Sequence, residues 1–227
     1  MSLLEIKNLT LGYDDETVIN NISFSVEKND FILVIGSNGV GKSTLIKGIL
    51  GLIKPKAGEI NYIDCNKKNV GYMPQETRVD ANFPASVMEV VLSGLHANMG
   101  FRPFHNKEDK EKALNVLEIL KIKELAKKSF SELSGGQRQK VLLARGLCAT
   151  NNLLILDEPS NNLDKYSKEE FYTTLKHLNE GHGIAIIMIT HDLDIDSFIG
   201  NKVLELKRDG YFYGKTEEYM EEYGYDS

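Results

Sequence analysis

At 227 residues the chain has room for one sizeable α/β domain and too little for two full ones. Hydrophobic residues at 41% and charged residues at 26% are ordinary for a globular protein, and a net charge of −6 argues against a nucleic-acid surface as its main business. The longest apolar run, within Ile184–Ile189, falls far short of a membrane span, and the first residues lack the basic flank and apolar core of a signal peptide. Cys65 and Cys148 stand alone, without ligand spacing to any histidine, and read as reduced structural thiols of a cytosolic protein.

In chain order, residues 3–9 and 18–26 alternate as strands flanking an Asp-Asp turn. Tyr13 lies in that first loop, either as a half-buried surface ring or as a platform that stacks on an adenine. The apolar run Phe31–Ile35 is a buried strand and feeds Gly36-Ser37-Asn38-Gly39-Val40-Gly41-Lys42-Ser43-Thr44, which has the G-x-x-x-x-G-K-[ST] spacing of a phosphate-binding loop. A helical pattern follows (Leu45, Ile46, Ile49, Leu50). Strand, glycine loop and helix in that order turn backbone N–H groups and a helix N-terminus toward an anion. Lys42 then reaches the β- and γ-phosphates and the Ser43 hydroxyl reaches Mg²⁺, so this stretch predicts binding of a nucleoside triphosphate.

Glu59–Ile63 is another strand, and Val70–Gln75 is a short strand ending in a proline-stiffened loop that presents Gln75. Residues 86–95 and 107–127 are predicted helices, the second on the recurrence of Ala113, Val116, Leu117, Leu120 and Glu124. The stretch from about 76 to 150 is thus helical only, a subdomain inserted in an α/β core formed by 1–75 and 151–227. Ser134-Gly135-Gly136-Gln137 opens a helix to about Ala149, with Ser134 as its N-cap and a second anion-binding helix end. Leu153–Leu156 is a buried parallel strand that ends on Asp157 and Glu158. Burying such carboxylates costs several kcal/mol unless they are paired or metal-bound, so Asp157 is a candidate Mg²⁺ ligand and Glu158 a candidate base for an attacking water. Ser160–Asp164 is a loop, a helix follows to Glu180, and the strand Ile184–Thr190 delivers His191 at its C-terminal end, where ligands gather in open α/β sheets. A hairpin with an Asp-Gly turn (Val203–Leu206, Tyr211–Tyr213) and an acidic, tyrosine-rich helix after Thr216 complete the chain.

Taken together, these motifs resemble the ATP-binding cassette (ABC) ATPase family over nearly the whole chain. Gly36–Thr44 looks like its Walker A loop, Gln75 its Q-loop glutamine, Leu133–Gln137 its signature motif, Leu153–Glu158 its Walker B strand with the catalytic glutamate, Ser160–Asp164 its D-loop and His191 its switch histidine. Tyr13 falls where the family keeps an adenine-stacking aromatic. The resemblance implies an α/β fold: a P-loop NTPase core of ABC type, with the inserted helical subdomain and an antiparallel β part at the N-terminal side. It further implies a homodimer that sandwiches two ATP molecules head to tail, with Ser134 and Gly136 of one copy near the γ-phosphate held by Lys42 of the other. Mg²⁺ would be held by Ser43, Gln75 and Asp157, with Glu158 as base and His191 on the γ-phosphate. Gly135, Gln137 and Asp164 belong to the same nucleotide-binding set.

Val79–Val87, Phe101-Arg102-Pro103 and Ser167–Tyr172 look like the zinc and manganese importer ATPases, zinc foremost. That implies a peripheral subunit on the cytoplasmic face of the membrane, docked to an integral permease and served indirectly by an extracellular or periplasmic metal-binding protein. Apolar Phe83, Val87 and Val91 either pack the helical insert or line a groove that receives a short permease helix. An importer ATPase for another substrate, such as an iron chelate, and an ATPase of iron–sulfur assembly type are the alternative readings. Ribosomal and DNA-repair cassettes are disfavoured, since the chain has neither a second cassette nor a long coiled coil.

Overall fold

Every second residue of the first apolar run faces a different side of one sheet, and the fold is built on that division. Phe31, Leu33 and Ile35 enter one hydrophobic cluster, while Ile32 and Val34 enter the other. A strand buried on both faces has no polar position, which is why the run reads as continuous rather than alternating. A computed structural model describes residues 2–75, 84–96, 99, 102–150, 152–161, 163–191 and 199–223.

The central sheet has six strands in the order β5-β6-β7-β3-β8-β9: β5 is Val70–Met73, β6 Leu153–Asp157, β7 Ala185–Ile189, β3 Phe31–Ile35, β8 Lys202–Lys207 and β9 Gly210–Lys215. The first five run parallel, and β9 closes the edge as an antiparallel hairpin partner of β8. A separate three-stranded antiparallel sheet, β2-β1-β4, joins β1 (Ser2–Tyr13), β2 (Glu16–Glu27) and β4 (Ala57–Tyr62). Helix α1 (Lys42–Ile49) lies between the two sheets: Leu45, Ile46 and Ile49 are in the same cluster as Leu4, Leu9, Leu11 and Val34. On the opposite face pack α2 (Val87–Ser93), α3 (Lys107–Ile119), α4 (Gly135–Ala149) and α5 (Lys165–His182), and α6 (Thr216–Tyr223) leans on the hairpin through Tyr219 and Tyr223 against Phe212. This is the α/β core with helices and an N-terminal antiparallel part that the resemblance implies.

The expected helix over 107–127 is cut short. It ends at Ile119, Lys121 takes a left-handed φ of 57°, and the chain turns before a short 3₁₀ stretch at Lys123–Leu125. Leu120, Ile122 and Leu125 remain buried, but the two-residue step from Leu120 to Ile122 takes them out of phase with the face of Ala113, Val116 and Leu117. The first two strands run longer than expected because β-bulges let the ladder continue past its irregular positions. Asn151, read as part of the helix end, lies outside the described residues; α4 stops at Ala149 with Thr150 as its C-cap.

Helix α4 crosses β5 at close range. A Cβ on Gly71 would stand 2.5 Å from the Gly146 carbonyl oxygen and 2.9 Å from Leu154. We expect Gly71→Ala to destabilise the fold by about 1–3 kcal/mol, because the Gly146 carbonyl is helix backbone that cannot swing aside and the Thr150 and Leu154 methyls crowd the same space at 2.7 and 2.9 Å. Thermal melting checks it, with an expected fall of roughly 2–4 °C per kcal/mol for a chain of this size.

Candidate active site

Four of the long helices begin with a side chain that caps their first turn; the one after the glycine loop does not. Ser86, Asn106, Ser134 and Asp164 each accept a backbone N–H in the first turn of α2, α3, α4 and α5 respectively. Helix α1 starts from Gly41 at φ 115°, with no side-chain cap and no acidic residue in its first turn. Its first-turn N–H groups and positive dipole end therefore face the loop without a side-chain cap. No L-residue fits easily at Gly41, where an added Cβ would also meet Ile19 Cγ1 at 2.9 Å. Gly39 (φ 79°) has open space on its Cβ side.

Lys42 sits at the heart of this cradle, only 7% exposed. Its ammonium donates to the loop's own carbonyls, Gly36 O at 2.6 Å and Ser37 O at 3.2 Å. Burial pushes its pKa down, opposed by the charges of Glu158 and Asp157. Among the described residues no carboxylate lies within ion-pair distance of it. A buried cation without a paired anion, beside an uncapped helix N-terminus, is a site completed by a phosphate. That is the fit test for a nucleoside triphosphate, and the residues pass it.

The carboxylates come from the neighbouring strand end. Asp157 is the last residue of β6 and 8% exposed; burial, and then the neighbouring Glu158 charge, raise its pKa. Tyr72 on the adjacent strand β5 directs its hydroxyl at Asp157 Oδ2 over 3.5 Å, and burial followed by the Asp157 charge pushes that phenol up to about 12. A buried acid raised in this way is stabilised by a cation. Mg²⁺ takes one or two carboxylates, hydroxyl and phosphate oxygens and water, which suits Asp157 and the exposed Ser43 hydroxyl. No trio of His, Cys, Asp or Glu capable of holding a metal occurs among the described residues.

Glu158 follows in a left-handed conformation, φ 48°, its N–H bonded to Ile189 O at 3.1 Å. Its carboxylate gathers three side chains from three separate loops. Gln75 Nε2 donates to Oε2 at 2.7 Å, Asn161 Nδ2 donates to the same oxygen, and His191 Nε2 lies 2.7 Å from Oε1. Gln75, Glu158 and His191, picked out separately in sequence, thus meet at one carboxylate. Sequence reasoning missed Tyr72 and Asn161. A tyrosine on a short buried strand needs a hydroxyl partner, and that signal pointed to Tyr72; nothing local marks Asn161.

The remaining candidates lie apart from this cluster. Tyr13 ends β1, 43% exposed, and Lys47 Nζ donates to its hydroxyl at 3.3 Å. Hydrogen bonding from Thr44, then Lys47, lowers the pKa of that phenol. Ser134 and Gln137 close a capping box at the start of α4: Gln137 N donates to Ser134 Oγ, and Ser134 N to Gln137 Oε1. Gly135 and Gly136 form the first turn, and a Cβ on Gly136 would meet Ser167 Oγ of α5 at 3.3 Å. Asp164 spends both carboxylate oxygens on Ser167, at 3.0 Å to N and 2.7 Å to Oγ, and those bonds hold its pKa below the usual range. The two helix N-termini are therefore neighbours.

A family model described as ABC transporter matches residues 19–161. The chain is 34% identical over 214 residues to the high-affinity zinc uptake system ATP-binding protein ZnuC of Bacillus subtilis, covering 92% of each. It is 36% identical over 218 residues to the manganese transport system ATP-binding protein MntB of the same organism, covering 94% of this chain and 87% of that protein. Among solved structures it is similar to a transporter described as of the metal-chelate ABC type in an inward-facing conformation, with TM-score 0.87, 30% identity and coverage of 96% of this chain and 85% of that one.

Proposed function

Since the chain belongs to the ABC transporter family of ATP-binding proteins, we propose that it is the ATP-hydrolysing subunit of a divalent-metal importer, with zinc as the cargo. The observation that carries the hydrolytic part is the pairing of an uncapped helix N-terminus and a buried, anion-free Lys42 with a strand end presenting Asp157 and Glu158. The metal follows the names of the similar proteins, one a zinc and one a manganese system.

In this reading the loop 36–44 and Lys42 bind the β- and γ-phosphates, and Tyr13 stacks on the adenine. Mg²⁺ is held by Ser43, Gln75 and Asp157 and supplies charge neutralisation to the phosphates. Glu158 takes the proton of the attacking water, and His191 turns from Glu158 to the γ-phosphate. Ser134, Gly135, Gly136, Gln137 and Asp164 face a second copy, so that two chains enclose two nucleotides. Residues 76–150 act as a helical subdomain between the nucleotide core and a membrane permease. Among the described residues no helix is long and apolar enough to cross a membrane, and in this reading the permease is a separate chain. The subunit works at the cytoplasmic face, and a metal-binding protein outside the membrane serves the same permease.

Val87 and Val91 are fully buried and pack the helical insert, so neither lines a docking groove; Phe83 lies outside the described residues. A groove of about 470 Å³ instead runs along α2, bordered by Pro84, Ala85, Glu89, Val90, Phe130 and Arg145. We place the permease helix there. Val90→Asp should leave ATP binding intact and weaken co-purification with the permease at least about tenfold, the scale for a central interface residue. Normal co-purification would move the docking site elsewhere. The proposal as a whole is tested by zinc and manganese accumulation in cells that lack the chain's gene. Uptake of neither metal depending on the chain would remove the importer reading and leave the iron-chelate and assembly alternatives.

A further inference from the structure

We propose that Asn161 is a positioning residue for hydrolysis: its amide holds Oε2 of Glu158 so that Oε1 faces the attacking water. This rests on the reading of Glu158 as the base. Of the three side chains on that carboxylate, two have other destinations in that reading, Gln75 on the metal and His191 on the γ-phosphate. Asn161 Nδ2 has none, so it is the donor that stays when ATP binds. The backbone of Glu158 is already fixed by its left-handed φ and its bond to Ile189 O. The terminal carboxylate torsion is not fixed by the backbone, because rotation about that sp³–sp² bond is nearly free. A single amide on one oxygen removes that freedom and leaves the other oxygen as proton acceptor.

Asn161 can do this because its own loop is nailed at both ends. Ser160, 8% exposed, pairs its hydroxyl with Tyr172 OH at 2.8 Å, inside α5. Leu163 N bonds Ser160 O at 3.1 Å, and Asp164 caps α5. The amide therefore projects from beside an anchored residue, Ser160, as a positioning group must.

Steady-state ATPase of the full chain with its permease tests this. Asn161→Asp keeps the shape and exchanges the donor for a second carboxylate. We expect kcat to fall about 10- to 100-fold, with KM and ATP affinity within about twofold of the parent, the pattern of an interaction needed only for the chemical step. Asn161→Gln, which retains an amide, should recover part of the rate. In a Glu158→Gln background Asn161→Asp should cost nothing further, because both act through one group. A parent-like kcat for Asn161→Asp while Glu158→Gln is inactive overturns this inference alone. Retained turnover in Glu158→Gln overturns the base assignment itself, and this inference with it. Should Asn161→Asp lose ATP binding, Asn161→Ala takes its place: a lower kcat at unchanged KM supports the role, and an unchanged kcat refutes it.

Discussion

Replacing Lys42 with alanine should remove high-affinity ATP binding while leaving the nucleotide-free protein as stable as before, or more so. The two halves of that expectation have one cause. Among the described residues the buried ammonium bonds two loop carbonyls and no carboxylate lies within ion-pair distance, so its desolvation is not repaid by a paired charge. With ATP present it meets phosphate oxygens, and losing one member of such a desolvated charge pair costs about 2–5 kcal/mol, equivalent to a weakening of at least about 30-fold. Melting curves with and without ATP read both effects. The parent should gain roughly 5–10 °C at an ATP concentration near a hundred times Kd, and Lys42→Ala should gain almost nothing. A large fall in melting temperature without nucleotide would instead make Lys42 a structural residue, and an unchanged ATP response would remove it from the phosphate site.

Glu158→Gln should preserve ATP binding and lower hydrolysis by at least about a hundredfold, the scale of a lost general base. The glutamine can keep the existing contacts: its carbonyl can accept from Gln75 and Asn161 while its amide faces His191, so the loops need not move. What disappears is the acceptor for the water proton. With turnover blocked, ATP should hold two chains together, and size-exclusion chromatography with ATP should show a dimer that the parent shows poorly. A variant that binds ATP yet stays monomeric at high concentration counts against the head-to-tail arrangement. Unchanged turnover rules Glu158 out as the base.

The nucleotide cradle was legible because its parts are local. Loop spacing, the strand before it and the helix after it lie within a few residues of one another, and the glycines announce backbone angles that other residues avoid. Asp157 could be placed because it is the first polar residue of a fully apolar strand, and His191 because it follows another such strand, two residues past Ile189. The assembly on Glu158 could not be read, since Gln75, Asn161 and His191 come from three loops and only the parallel register of β5, β6 and β7 brings those ends together. Lys121 shows the limit from the other side: the spacing of Glu124 extends the helix past Leu120, whereas the buried apolar residues there are Ile122 and Leu125, out of phase with the helix because the chain turns at Lys121. The assignment of Val87 and Val91 to a docking groove failed for a related reason. Val87 and Val91 are apolar at helical spacing, which says that they are buried but not against what.

The order of strands in the central sheet bears on how the chain is made. Strand β3 emerges from the ribosome early, yet both its partners, β7 and β8, lie near the far end. The antiparallel sheet needs only residues up to Tyr62, so it can close while most of the polypeptide is still unsynthesised. Phe31–Ile35, apolar on both faces, must then wait with its edges unpaired until Ala185–Ile189 and Lys202–Lys207 arrive. At about 5–20 residues per second that delay is on the order of ten seconds or more, ample time for a sticky strand to find another nascent chain. Ribosome-bound chains halted before β7 should therefore recruit holding chaperones, and release them once β8 has cleared the exit tunnel.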